Sequence, residues 1–417
     1  MSGSVLSEPM PKPMQPVAAA ERHVALDVLR GVALLGVLLV NLHSGFRVSL
    51  FAHILTFHTH AGWANRATDI LQAWIFEFKA FTLFSFLFGV GVGVQAERAA
   101  THQRSAARFL ARRFTMLLVI GLFHMLLVWN GDILTLYAVC GLLLIPFVAM
   151  SGKWLAALGL TVIVLAPFLP FFDSLFPTNA EMRVQAAVAT GVYATGSFTK
   201  ILALRWHETA HFIAPLLINS LPRTFGLMLF GIAAWRSRIL QRPTEKRKML
   251  KAILVVAGSL GAMATTLQVW SKETSQPPPD AFEWLYPYSV VLLGFAYGAG
   301  LLLWRSSAQT GCVEWLTRLF AAAGRMALSN YLAQSVIFSL LFYGFGGGLF
   351  GRLGSAVAAL LGLTVFAGQL VASDWWLRRF RFGPAEWLWR SLTYGRWLPL
   401  KGTAVSIGGV AVTANRA

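Results

Sequence analysis

Residues 26–41, LDVLRGVALLGVLLVN, decide how the rest of the chain is read. They form an apolar, membrane-length helix that carries Asp27 and Arg30 near its start and Asn41 near its end. At 3.6 residues per turn, Asn41 stands about 20° from Arg30 around the axis and about 16 Å along it, and Asp27 lies within about 60° of Arg30. All three polar side chains therefore share one face of a helix otherwise fit for lipid. Ionisable groups in such a helix are costly and face the protein interior or a water-filled cavity. The plainer alternative is a structural Asp27–Arg30 pair at the membrane edge.

The rest of the chain agrees with a membrane setting. Of 417 residues, 56% are hydrophobic and 12% charged, against about 25% charged in soluble domains, and the mean hydropathy is +0.62. This composition excludes a soluble enzyme with a single anchor. The formal charge of +18 is spread over short loops between apolar runs, so it marks topology and contacts with anionic membrane lipids rather than nucleic acid. Cys140 and Cys312 lie far apart and give neither a disulfide framework nor metal spacing. Residues 1–22, rich in Pro, Ala and Ser, have no basic run leading into a short apolar core. They are expected to be a disordered cytoplasmic tail without a cleaved signal peptide.

Apolar runs long enough to cross about 30 Å of hydrocarbon fall at residues 25–45, 70–95, 113–131, 133–150, 154–172, 211–235, 251–270, 284–304, 319–343 and 354–374. The expected fold is all-α, a polytopic transmembrane helix bundle of ten spans. One set of loops and tails holds 24 of the 35 Lys and Arg, the opposite set holds seven, and Arg30, Lys79, Arg223 and Arg325 fall inside or at the ends of spans. The positive-inside rule then puts both termini in the cytoplasm. The expected divisions are a five-span half at 23–172, an outer loop at 173–210, a second five-span half at 211–374 and a cytoplasmic tail at 375–417. Residues 180–192 have the composition of a helix on the outer membrane surface, and Gln276-Pro277-Pro278-Pro279-Asp280 is a stiff outer turn. In the tail, Pro384 suits the first position of an interfacial amphipathic helix, with Glu386 in its first turn.

Seven of nine histidines map to the outer half. His58 and His60 lack the further ligands a metal would need, so no metal site is expected. His43 stands about 220° from Arg30 around the helix and is read as an interface residue. His124 precedes the turn Asn130-Gly131-Asp132, and a hairpin there brings Asp132 back towards it. A carboxylate so placed orients an imidazole and keeps it basic. Alternatively, His124 packs between helices and Asp132 caps the next one. Lys79 is buried in the second span with Asp132 as a candidate partner, and Arg223 follows Pro222 in mid-span. Asn330 and Gln334, four residues apart, either bond a neighbouring helix or line a cavity.

LDVLRGVALLGVLLVN, FKAFTLFSFLFGVGVG, GLFHMLLVWNGDILTLYAVCGLL, GRMALSNYLAQS and FGPAEWLWRSLTYG resemble the recurring motifs of the YeiB family of bacterial inner-membrane proteins, whose function is uncharacterised. The first span is also similar to the opening of the transmembrane acyltransferase superfamily, including heparan-α-glucosaminide N-acetyltransferase. There an LD-x-x-RG start leads to a polar residue three turns on, which in one branch is histidine and here is Asn41. His60-Ala61-Gly62-Trp63 resembles the later histidine context of the heparan enzyme. The resemblance implies transfer of an acyl group from cytosolic acyl-CoA, with acetyl-CoA the expected donor, to a glycan, lipid or metabolite on the periplasmic side. Arg30 and Asp27 would then serve the donor. His124 or His60 would be the base, with Asp132 orienting it. Asn41, Lys79, Arg223, Asn330 and Gln334 would serve the substrate or the developing oxyanion. A transporter or flippase for a small amphiphile is the competing expectation, and a homodimer is an assembly such a bundle allows.

Overall fold

Val24–Phe46 (α1) is one continuous helix, α-helical to Asn41 and closing with a π turn at Leu42–Phe46. The computed structural model describes residues 23–101, 105–168, 177–276, 285–305, 311–401, 405–407 and 410–412. The expected tail 1–22 and all of the expected Gln276–Asp280 turn after Gln276 lie outside the described residues. The remaining helices are α2 (Leu50–Leu55), α3 (Trp63–Leu71), α4 (Lys79–Thr101), α5 (Ala106–Val128), α6 (Leu134–Phe147) and α7 (Gly152–Phe168). They continue with α8 (Asn179–Thr195), α9 (Phe198–Arg236), α10 (Arg247–Thr274), α11 (Pro287–Arg305) and α12 (Cys312–Arg325). The last three are α13 (Ala327–Phe342), α14 (Ser355–Leu377) and α15 (Pro384–Tyr394). A short hairpin pairs residues 405–407 with 410–412.

Among the described residues, each of the ten expected apolar runs contains helix, and seven helices are long and apolar enough to cross a membrane; α6, α7 and α13 are apolar but shorter. For α6 and α13 the shortness has local causes. The turn through Trp129–Ile133 precedes α6, which closes in a 3-10 turn at Ile145–Phe147. The ninth run breaks at Met326, which separates α12 from α13. The second run breaks too: α3 ends in a π turn at Gln72–Phe76, and Glu77 and Phe78 interrupt it before α4. Phe78 takes φ +58°, a conformation that costs a non-glycine residue about 1–3 kcal/mol and needs surrounding structure to hold it. The expected outer loop at 173–210 is largely helix. Thr178 and Glu181 form a capping box at the start of α8, and α9 runs unbroken from Phe198 through the place where that loop was expected to end.

Close helix crossings set the frame. α1 and α12 touch backbone to backbone: a Cβ on Gly31 would collide with the Phe320 carbonyl, and one on Gly324 with that of Asp27. α4 meets α9 in the same way at Gly89, against the Met228 carbonyl. Small residues at a crossing are how membrane helices gain packing contacts that lipid cannot supply. The main core gathers α1, α4, α5, α6, α9 and α13 around Leu34, Leu38, Phe114, Tyr137, Met228 and Phe338. By contrast Val357, Leu360, Leu363 and Val371 on α14 are exposed, as a lipid-facing helix surface requires.

Candidate functional site

Two cavities lie end to end inside the bundle. One, of about 400 Å³, is walled by the first half of α1, the later half of α4, the start of α5, the α12–α13 break and α15. The other, of about 810 Å³, is walled by the last turns of α1, by α2, the Glu77–Phe78 break, the α5–α6 turn, α8 and α9. The polar face of α1 serves both. Asp27 and Arg30 line the first, and Asn41 lines the second. Arg30 Nη1 donates to Asp27 Oδ1 at 2.9 Å, so the two form the expected pair and still border a cavity.

The smaller cavity is strongly basic. Arg30, Arg98, Arg113, Arg325, Arg381 and Arg390 line it, against Asp27, Glu97 and Glu386. Each carboxylate already has a partner: Asp27 holds Arg30, Glu97 accepts from Trp235 Nε1 at 2.6 Å, and Glu386 accepts from the Leu328 and Ser329 amides at 2.7 and 3.1 Å. The last contact caps α13 where the α12–α13 break exposes its amides. It also pins α15 across the end of the bundle, where Trp389 Nε1 donates to the Arg113 carbonyl at 2.9 Å and the Arg113 guanidinium sits 3.7 Å above the Trp389 ring. Pro384 opens α15 as expected. The helix is thus a wall of the basic cavity, which its amphipathic pattern alone does not reveal.

Gly91 also lines the basic cavity, and a Cβ there would meet only Arg30 Nη2, at 3.9 Å. Its neighbours two residues away on either side, Gly89 and Gly93, pack on α9 instead.

The larger cavity is lined by two of the outer histidines, His43 and His53, and by the carboxylates Asp69, Glu77, Asp132 and Glu208. His43 lines it, and its Nε2 lies 3.6 Å from Asp69 Oδ1. His53 stacks edge-on to His43 with ring centroids 5.0 Å apart, and its Nε2 lies 3.7 Å from Glu77. Lys272 holds the other Glu77 oxygen at 3.3 Å. Glu208 accepts from Asn130 Nδ2 at 2.7 Å and from the Tyr193 hydroxyl at 2.6 Å. His58 bridges Asp69 and Glu273 at 2.8 and 2.6 Å. Burial pulls the His58 imidazole down, but the two carboxylates outweigh it and the net shift is upward.

His124 and Asp132 meet as the hairpin predicted. His124 Nδ1 lies 2.8 Å from Asp132 Oδ1, and Asp132 Oδ2 accepts from the Thr135 amide at 2.7 Å. Both alternatives for this pair hold together: the carboxylate orients the imidazole and also caps α6. Asp132 lines the larger cavity. His124 is 1% exposed, its Nε2 has no hydrogen-bond partner, and its ring packs 5.2 Å from that of Tyr331. Tyr331 in turn lines the basic cavity.

Other expected residues stand elsewhere. Lys79 does not reach Asp132; its Nζ donates to the Ala73 carbonyl at 2.6 Å and so caps the π turn that ends α3. His60 Nδ1 lies 3.2 Å from Arg47 Nη1. Asn330 Nδ2 donates to Ser373 Oγ at 2.9 Å, and Gln334 Nε2 to Gln369 Oε1 at 2.8 Å; these are interhelical bonds between α13 and α14. Lys79, His60, Asn330 and Gln334 line neither cavity. Arg223 does line the larger one, its guanidinium 5.2 Å from the Phe78 ring. His43, Asp69 and Glu208 were not singled out from sequence as site residues. The signal that could have found them is that each is a polar residue at the end of an otherwise apolar run. Among the described residues, no group of three or more His, Cys, Asp or Glu could hold a metal.

The fold and cavities define a polytopic helical membrane protein with a basic chamber backing onto a histidine- and carboxylate-lined one. It belongs to the YeiB-like family. The chain is 35% identical to the uncharacterized protein YxaH of Bacillus subtilis over 93% of its length and 98% of that protein's. It is 29% identical to the uncharacterized protein YeiB of Escherichia coli, over 93% and 99% of the two chains. Residues 234–396 match a family model described as a protein of unknown function (DUF418). That stretch supplies Arg325, Glu386 and Arg390 to the basic cavity, whereas Arg30, His124 and Asp132 lie before it. No solved structure matches the chain significantly.

Proposed function

We propose that this protein is an acyltransferase of the bacterial inner membrane, with ten spans and both termini in the cytoplasm. It takes an acyl group from cytosolic acyl-CoA and passes it to an acceptor on the opposite side. One observation carries this reading: the two cavities are back to back and share Val37 and Ile133 in their walls. Six arginines in the basic cavity suit the phosphates of a CoA donor, since guanidinium groups bind phosphate oxygens in charge-assisted pairs. The larger cavity offers an acceptor carboxylates, amides and aromatic faces.

In the transfer, the acceptor's hydroxyl or amine attacks the thioester carbonyl, a C–O or C–N bond forms and the C–S bond breaks. The acceptor's proton goes to His43, which lines the acceptor cavity with Asp69 behind it, and the CoA thiolate departs into the basic cavity. His43 serves this role better than His124 or His60: the first is sealed from both cavities, the second occupied by Arg47. Asn41, on the acceptor side of α1, is placed to donate to the developing oxyanion. The test is to purify the full chain in lipid nanodiscs and measure CoA-induced thermal shift and CoA release from acetyl-CoA. Binding and release support the reading; the absence of both refutes it.

A second reading, transport of a small amphiphile, is favoured by the helix break at Glu77–Phe78 in a cavity wall, since transporters place such breaks at their substrate sites. Uptake into proteoliposomes without an acyl donor would establish it.

A further inference from the structure

We propose that Val37 and Ile133 form the gate through which the transferred group passes, and that this gate restricts the donor to short acyl groups. The inference rests on the acyl-transfer reading above and adds to it the residues that set chain length. Val37 and Ile133 are the two residues that the cavity walls have in common. Val37 lies on α1 seven residues beyond Arg30, about 10 Å along the axis, and about one turn before Asn41. Aromatic rings line both cavities beside the pair, Phe84 and Tyr137 the basic one and Phe81 the larger: Phe84 stacks on Tyr137 with centroids 6.1 Å apart, and Phe81 packs 5.9 Å from the same ring. The Tyr137 hydroxyl is engaged by Ser85 Oγ at 2.9 Å. The gate therefore presents hydrocarbon, which suits an acyl chain and rejects phosphate.

Ile133 is also held in place. Its amide donates to the Tyr331 hydroxyl at 3.3 Å, and its neighbour Asp132 is fixed by His124 and by the Thr135 amide. The sealed His124 is thereby a positioning residue that fixes Asp132 and, through it, the gate. The basic cavity, about 400 Å³, is near the lower limit of ligand pockets, about 300–1,000 Å³. A long chain lying at the gate would have to enter the seam between Val37 and Ile133. In the transfer itself the thioester carbonyl sits at this seam, with sulfur on the basic side and the acceptor on the other. The C–S bond breaks as the new C–O or C–N bond forms, the acceptor's proton goes to His43, and the thiolate takes a proton from water in the basic cavity.

The experiment uses the full chain in nanodiscs with free CoA and a series from acetyl-CoA to octanoyl-CoA. Val37→Ala and Ile133→Ala should shift the preferred chain longer and raise CoA release from hexanoyl-CoA at least about tenfold, the scale of one methylene in an apolar pocket. Val37→Phe should abolish release from every donor, and all three variants should keep the CoA-induced thermal shift. An unchanged chain-length profile in both alanine variants, with CoA still bound, overturns the gate while leaving the acyl-transfer reading intact. If the wild type binds no CoA, the acyl-transfer reading fails first and the restriction to short acyl groups fails with it. The seam is tested without any donor by Ile133→Cys in a Cys140→Ser, Cys312→Ser background. Membrane-impermeant thiol reagents should modify it from either face, and modification from only one face overturns the shared seam.

Discussion

His124 Nδ1 and Asp132 Oδ1 stand 2.8 Å apart across the α5–α6 turn, each residue 1% exposed, at the level where the two cavities meet. With its other oxygen on the Thr135 amide, Asp132 has both oxygens engaged, so the turn, the helix start and the imidazole are one unit.

Removing one member should therefore unfold more than it repacks. Asp132→Ala leaves a buried imidazole nitrogen and the Thr135 amide without their acceptor, and is expected to cost about 1–3 kcal/mol for each. Asp132→Asn keeps an acceptor for the Thr135 amide and should cost clearly less. Thermal unfolding in detergent of the three proteins checks the order; equal melting temperatures for wild type and Asp132→Ala would refute the coupling.

Two glycines on the same helix, two residues apart, should behave oppositely. Gly91→Leu points into the basic cavity with only Arg30 nearby, so the protein should fold normally and lose most of its CoA-induced thermal shift. Gly89→Leu drives a side chain into the Met228 carbonyl and should abolish expression of folded protein. Size-exclusion profiles and thermal shifts of both variants decide it.

The His58 bridge makes the histidine-rich end sensitive to pH. His58 lies between α2 and α3, and its folded pKa is raised by Asp69 and Glu273 against the opposing effect of burial. A raised pKa in the folded state means the contribution to stability is full below the unfolded value, about 6.5, and fades as pH rises through the higher folded value. The wild type should lose melting temperature over that alkaline-going window, and His58→Ala should flatten the slope. A parallel decline in both proteins would show that His58 is not the group responsible.

Glu386 ties α15 to the start of α13 through two amides. Glu386→Ala forfeits charge-assisted bonds worth about 2 kcal/mol together, which should raise the population of released α15 roughly thirtyfold. Trypsin cleavage at Arg390, followed by mass spectrometry, should accelerate accordingly. An unchanged cleavage rate would mean that the other contacts of α15, Trp389 on Arg113 and Ala385 on Ser329 among them, hold it without Glu386.

Much of this was legible in the residues. Hydropathy located every apolar helix, because the cost of unsatisfied backbone in lipid forces long helical runs. Spacing paired His124 with Asp132, since a short turn leaves a hairpin little freedom. Pro384 marked the start of α15. The structure altered what lay between: the breaks at Phe78 and Met326, and the extension of α9 through the expected outer loop, depend on side chains that cap or fill them, such as Lys79 on Ala73 and Glu386 on Leu328.

The sequence by itself determined that this chain is a membrane helix bundle and that Asp27, Arg30 and Asn41 share one face of its first helix, because hydrophobicity and the 3.6-residue period are local properties. Only the tertiary structure decided which polar groups reach a cavity. It turned Asn330 and Gln334 onto α14, engaged His60 with Arg47, and set His43 beside Asp69, partners that no periodicity within one helix can name. The π turn at Leu42–Phe46 adds to this, since it breaks the regular rotation from which the direction of His43 was projected. That one face of α1 borders two cavities meeting at Val37 follows from where α4, α6 and α13 stand around it, and their positions are fixed by packing over the whole bundle.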